Sequence, residues 1–149
     1  MHIRTYQEAD KESLLELIRL NIPKYFEASE ENDFQEYLEQ EKEDYFIVED
    51  KTTHQIIGCG GINYFFDTQP ISARISWDIV HPNYQGKGIG KKLLLHRIEH
   101  IKNQEIKSVI VRTSQLAYQF YKKIGFELEK IEKDYWAKGY DLYFMRLKL

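Results

Sequence analysis

Apolar residues along this chain switch spacing several times, from alternation to a helical period and back. Residues 2–6 read as a short first strand. Leu14, Leu17, Ile18 and Ile22 then fall on one helical face, with Asp10 ahead of it as a cap and Pro23 as its stop. Residues 30–40 form a second helix with a narrow apolar face of Phe34, Tyr37 and Leu38. Three strand-like runs follow, 45–49, 55–64 and 73–80, separated by turn residues. A third helix runs to Lys102 and buries Leu94, Ile98 and Ile101. Residues 108–112 are short and largely apolar, as a strand buried on both faces would be. Ser114 caps a fourth helix with the stripe Ala117, Phe120, Tyr121 and Ile124, which Gly125 stops. Residues 126–131 and 140–147 alternate as two last strands, joined by the loop 133–139. The order β-α-α-β-β-β-α-β-α-β-β predicts an α/β (α+β) fold in one domain spanning 1–149, without repeats or linkers.

The junction between the third of the middle strands and the third helix carries the most informative text, Gln85-Gly86-Lys87-Gly88-Ile89-Gly90. Glycines that alternate where a strand gives way to a helix bare backbone N–H groups at the positive end of that helix, a seat for phosphate. Two familiar nucleotide loops fail here. A P-loop needs glycine where Gln85 stands and Ser or Thr where Lys92 stands. A dinucleotide fingerprint needs glycine where Lys91 stands, and Glu105 is only a loose match for its ribose-binding acid. A third pattern, Gln/Arg-x-x-Gly-x-Gly/Ala, is met by Gln85, Gly88 and Gly90. With the flanking Val80-His81-Pro82-Asn83-Tyr84, the chain resembles the GNAT N-acetyltransferase superfamily across nearly its whole length.

Length and composition fit one core: the 149 residues are 42% hydrophobic. One cysteine, Cys59, excludes an internal disulfide and a multi-cysteine zinc site, and no His/Asp/Glu spacing suggests a metal. No leader-like or membrane-length apolar run is present, so a cytoplasmic protein without membrane contact is expected. The net charge of −3 is unevenly spread. Residues 27–50 hold eleven acids and one base, Lys42, whereas 87–107 hold six bases against Glu99 and Glu105. The basic stretch surrounds the glycine loop, where an anionic ligand gains from it. It is too small for a nucleic-acid surface.

The resemblance implies a mixed six- to seven-stranded sheet splayed between strands 4 and 5, about four helices, and acetyl-CoA as co-substrate. It implies that Gln85, Gly86, Lys87, Gly88, Ile89, Gly90 and Lys91 hold the pyrophosphate. The amides of Ile79 and Val80 would hold the pantetheine arm as an added strand would. Ala117, Phe120, Tyr121, Gly125 and Phe126 match the family's helix, which makes Tyr121 the acid that protonates the leaving thiolate. On its stripe alone, Tyr121 is core. Ser114 stands where the family often has a cofactor-contacting Asn, and a helix cap explains it equally well.

The family's general base is missing. The two positions where members carry Glu are Arg74 and Val109 here. Asp78 is the nearest acid on the fourth strand, either a base or an ion-paired strand residue. A lysine-like amine of pKa about 10.4 is only about 0.1% neutral near pH 7.4, while an α-amine of pKa about 7.7 is roughly one-third neutral. The missing Glu therefore leans towards low-pKa amines or a water relay. Tyr25, Tyr64 and Trp136 are candidates to line the acceptor pocket, with Phe26, Phe65 and Tyr135 beside them. The acidic second helix either attracts a cationic amine or is a solvated face. The expected activity is acetyl transfer to a primary amine, peptide or small molecule, by direct attack in a ternary complex. A non-catalytic acyl-CoA-binding module is the alternative, and a homodimer is compatible with either.

Overall fold

The computed structural model describes all residues, Met1–Leu149. Seven strands and four α-helices follow one another as β1 (His2–Thr5), α1 (Lys11–Arg19), α2 (Glu30–Glu36), β2 (Asp44–Glu49), β3 (Ile56–Phe65), β4 (Ser72–Val80), α3 (Ile89–Lys102), β5 (Ser108–Thr113), α4 (Tyr118–Ile124), β6 (Glu127–Ala137) and β7 (Tyr140–Lys148). The strands form one mixed sheet in the order β1-β2-β3-β4-β5-β7-β6. The expected α/β class, the strand total and the four helices are all observed.

Two compact units divide the chain, Met1–Asn63 with Trp77–Arg97, and Tyr64–Ser76 with Ile98–Leu149. In the first, β1 pairs antiparallel with β2 and β2 with β3. Leu14, Leu15, Leu17 and Ile18 of α1 and Phe34 of α2 pack with Tyr45, Ile47, Cys59 and Ile79 into one buried cluster. In the second, β5 runs parallel to β4 from Ser72↔Ser108 to Ile75↔Val111, and β7 pairs antiparallel with both β5 and β6. The β4–β5 ladder ends at Ile75, short of the end of β4 at Val80.

Several boundaries differ from the sequence pattern for identifiable reasons. Asp10 holds the N-cap position of α1, but its side chain makes no capping bond to that helix. Its carboxylate accepts the Gln7 amide at 2.8 Å and pairs with Arg4, which holds it below the usual carboxylate range. The helix ends before Ile22, because Pro23 disfavours helical backbone at the residue preceding it. The second helix widens after Glu36 into one looser turn, Tyr37–Glu41, where Tyr37 and Leu38 are buried. Residues 133–137, expected in a loop, belong to β6. Regular pairing with β7 lapses after Glu132↔Leu142 and resumes at Ala137↔Tyr140, so 133–136 form an irregular stretch of the strand.

Candidate active site

The glycine loop is built from β4 outward. At Trp77 the strand adopts a left-handed backbone, φ 52°. For a residue with a Cβ this costs roughly 1–2 kcal/mol. Ring packing offsets the cost: Trp77 lies 5.1 Å from Phe34, 6.1 Å from Phe26 and 6.2 Å from Tyr37 between centroids. Tyr45, itself fully buried, donates its hydroxyl to the Trp77 carbonyl at 2.8 Å. The kink breaks the side-chain alternation of β4 just before Asp78, Ile79 and Val80, the residues the sequence assigned to the cofactor arm and its chemistry. Nothing in the sequence marked Trp77, since a tryptophan with positive φ has no local signature.

Beyond β4 the chain is held by a side-chain clamp. The Asn21 amide, 3% exposed, donates to the carbonyls of Leu17 at 2.9 Å and Val80 at 3.2 Å. Gln85 donates to Asn21 Oδ1 at 3.0 Å and to the Val80 carbonyl at 3.1 Å. The Gln85 side chain thus turns inward and fixes the loop. Gly86 and Gly88 have φ of 76° and 83°, and an added Cβ at either would meet nothing within 4 Å. Glycine is required there by backbone conformation rather than by space. The helix α3 begins at Ile89, and its first closing bond runs from Lys92 N–H to the Gly88 carbonyl at 3.1 Å. The amides of Ile89, Gly90 and Lys91 precede that bond and have no carbonyl within the helix to reach. Lys87 lies 5.4 Å from the centroid of the Tyr84 ring, and Lys91 is exposed.

Asp78 is tied to α3. Arg97, fully buried, places Nη1 2.5 Å from the Asp78 carboxylate and donates to the Gly61 carbonyl at 3.0 Å. Glycine at position 60 makes the room: an added Cβ would sit 2.7 Å from both Arg97 Nη1 and Asp78 Oδ1. The arginine was not picked out in the sequence, where it reads as one more base in a charged helix. Replacing Arg97 with Met should cost about 3 kcal/mol of unfolding free energy, because it strands a partly buried carboxylate. Chemical denaturation of the two proteins measures this; an unchanged midpoint would show that the pair contributes nothing.

In the second unit, Tyr121 is 4% exposed and its ring packs edge-on against Phe120 and Phe126, at 5.0 and 5.5 Å. Ser114 does not cap α4, which starts at Tyr118. Its hydroxyl accepts the Leu116 amide at 3.2 Å in the turn before it. Trp136 donates its indole N–H to the Thr113 carbonyl at 3.1 Å. Tyr64 accepts from Gln104 at 2.9 Å and stacks on Phe66 at 5.5 Å. In the first unit, Tyr25 has Lys24 over its ring at 5.2 Å, whereas its neighbour Phe26 stacks on Trp77. Cys59 is fully buried, and burial pushes its thiol up to about 12, so it stays protonated at neutral pH and is no acyl carrier.

The sequence profile of the acetyltransferase (GNAT) domain matches residues 41–128, more than half of the chain and the whole stretch from β2 to the start of β6. The chain belongs to the GNAT acetyltransferase family. Among curated GNAT relatives, the N-alpha-acetyltransferase RimI of Mycobacterium tuberculosis is 27% identical over 92 residues, covering 61% of this chain and 58% of that protein. The chain spans 27% of the length of another curated relative it matches, from Mycobacterium leprae. A GNAT-family structure from Desulfovibrio desulfuricans superposes with a TM-score of 0.82 at 18% identity, covering 99% of this chain and 98% of that one. The Salmonella typhimurium protein yncA, solved with acetyl-CoA, gives a TM-score of 0.74 at 20% identity, covering 100% of this chain and 94% of its own. These GNAT likenesses share the fold described above. No helix is long and apolar enough to cross a membrane.

Proposed function

We propose that this protein is an acetyl-CoA-dependent N-acetyltransferase acting on a primary amine. The observation that carries the reading is the loop 85–90, with positive-φ glycines and an inward-clamped Gln85, leading into the first turn of α3, whose amides have no carbonyl within the helix to reach. The yncA complex with acetyl-CoA in the same fold supports the choice of ligand. In the reaction the amine nitrogen attacks the thioester carbonyl and forms the N–C bond. The C–S bond then breaks, and the departing thiolate takes the phenolic proton of Tyr121. The proton lost by the amine goes to water, and bulk solvent reprotonates the phenolate. Cys59 takes no part, so no covalent acyl-enzyme forms.

The base is the open element of the mechanism, and the Asp78–Arg97 pair bears on it. The Asp78 carboxylate is already engaged by the buried Arg97 guanidinium at 2.5 Å, as an ion-paired strand residue would be. We expect log(kcat/KM) to rise with pH following the acceptor's own amine pKa, without a separate limb between about pH 5 and 7. The measurement is thiol release from acetyl-CoA against α-amino peptides, polyamines, aminoglycosides and free amino acids. Asp78→Asn should leave turnover within about tenfold. A loss above about 100-fold in a folded, CoA-binding variant would make Asp78 the base. Tight CoA binding without turnover on any amine would point instead to a non-catalytic acyl-CoA-binding module.

A further inference from the structure

Three arginines share one face of the sheet in the second unit. Ile110 pairs with Arg74 of β4 on one side and with Arg146 of β7 on the other, and Arg112 follows two residues later, opposite Phe144. Residues directly opposite, and residues two apart on one strand, point to the same side. The other side is core, where Ala73, Ile75, Val109, Val111 and Met145 are at most 3% exposed. On the arginine side, Arg74 donates to Ser76 at 3.2 Å and lies over the Phe65 ring. Arg146 donates to Ser108 and pairs with Glu129 at 2.9 Å. Arg112 pairs with no acid. The last β4–β5 pair is Ile75↔Val111, so Arg112 stands just where the two strands part.

Aromatic rings hold Arg112 instead. Its guanidinium lies 5.2 Å from the Tyr135 ring centroid and 5.5 Å from that of Trp136, and it donates to the Tyr135 hydroxyl at 2.5 Å. The two rings stand at 90° to each other, so the guanidinium sits in the corner between them. Adjacent residues of a regular strand point to opposite faces. Both rings reach Arg112 because 133–136 are irregular, with Asp134 at φ 54°. Trp136 is fixed in turn by its indole bond to Thr113. A guanidinium carries five N–H donors in a rigid fork, and for Arg112 one of them is bonded within the protein. The acids of the adjoining β6–β7 turn face backbone amides: Asp134 accepts from Gly139 at 2.7 Å, and Asp141 accepts from Asp134 at 2.9 Å.

On the acetyltransferase reading proposed above, we infer that Arg112 is an oxyanion-binding residue of the acceptor site, and that the acceptor amine carries a carboxylate or a phosphate. A stacked, pre-oriented guanidinium without an acid partner matches either oxyanion through two parallel N–H bonds. Arg112, Trp136 and Tyr121 all belong to the second unit, and Arg74 sets a second cation on the same side of the sheet. Such a field favours an anionic amine and works against polyamines and aminoglycosides.

Matched acceptors test this: free α-amino acids against their amides, and phosphoethanolamine against ethanolamine. The ratio of kcat/KM within the responding pair should fall about 10- to 100-fold in Arg112→Gln, with KM for acetyl-CoA unchanged. Comparing that ratio between the two proteins cancels the difference in amine basicity within a pair. Arg112→Lys keeps the charge and loses the fork, so it should fall between the parent and Arg112→Gln. Which pair responds tells a carboxylate from a phosphate. Ratios unchanged in Arg112→Gln for both pairs would overturn the inference. A second measurement needs no turnover. Inorganic phosphate or acetate, raised to about 50 mM at constant ionic strength, should shift the Trp136 indole N–H resonance saturably in the parent and not in a folded Arg112→Gln. The resonance is assigned with Trp136→Phe, and thermal melting confirms the fold of each variant. No shift in the parent, or the same shift in Arg112→Gln, would equally overturn it. Turnover on no amine at all would instead sink the acetyltransferase reading, and the anion titration would still decide whether Arg112 holds an oxyanion.

Discussion

Tyr121→Phe should lower kcat by about 10² to 10⁴-fold while leaving CoA affinity and the melting temperature close to the parent's. The substitution keeps the ring, and with it the edge-on contacts to Phe120 and Phe126. It removes only the hydroxyl, the group that would give its proton to the leaving sulfur. A phenol of pKa near 10 is protonated at neutral pH and is matched to a departing thiolate. Without it, the thiolate must take a proton from water that a buried residue, 4% exposed, helps to exclude. Steady-state kinetics on any accepted amine, with calorimetry for CoA, separates the outcomes. Turnover within a factor of about three of the parent would reduce Tyr121 to a packing residue.

Gly88→Val should weaken CoA binding at least about tenfold in a protein that still folds. The valine Cβ meets no neighbour, since nothing lies within 4 Å, so steric disruption of the fold is not the mechanism. The cost is conformational. A β-branched residue resists φ of 83°, and the loop relaxes away from the geometry that aims its amides at one point. Gly90→Glu attacks the same seat differently, by placing a carboxylate in the first turn where the anion would sit. Calorimetric titration with CoA reads both variants, and an unchanged affinity in either would remove the loop as the pyrophosphate seat.

The two substitutions also mark how differently the parts of the site were legible. Gly88 belongs to a run whose meaning is local: strand, alternating glycines and helix lie within one short stretch of chain, and bared amides follow from that text alone. Tyr121 was legible only as apolar stripe, and its chemical reading came from resemblance. Of the two readings of Ser114, helix cap and cofactor contact, the structure removes the first, because the hydroxyl reaches Leu116 before α4 begins. The acceptor aromatics were read from position, and in the first unit the ring that stacks on Trp77 is Phe26 rather than Tyr25.

By itself the sequence determined the order of elements, the fold class, the glycine-rich junction between β4 and α3 and the absence of the family's glutamates, all of which depend on near neighbours or on residue identity. Tertiary structure decided the rest. Asn21 and Gln85, 64 positions apart, meet only because α1 and the end of β4 pack together. Arg97 becomes a buried partner of Asp78 only because Gly60 leaves space across β3. Trp77 takes a strained backbone only because Phe34, Tyr37 and Tyr45 surround it. Periodicity carries burial, which is a property of one segment. It does not carry pairwise contact between distant segments, and that contact sets which carboxylate is available, which way a glutamine turns and where a strand bends.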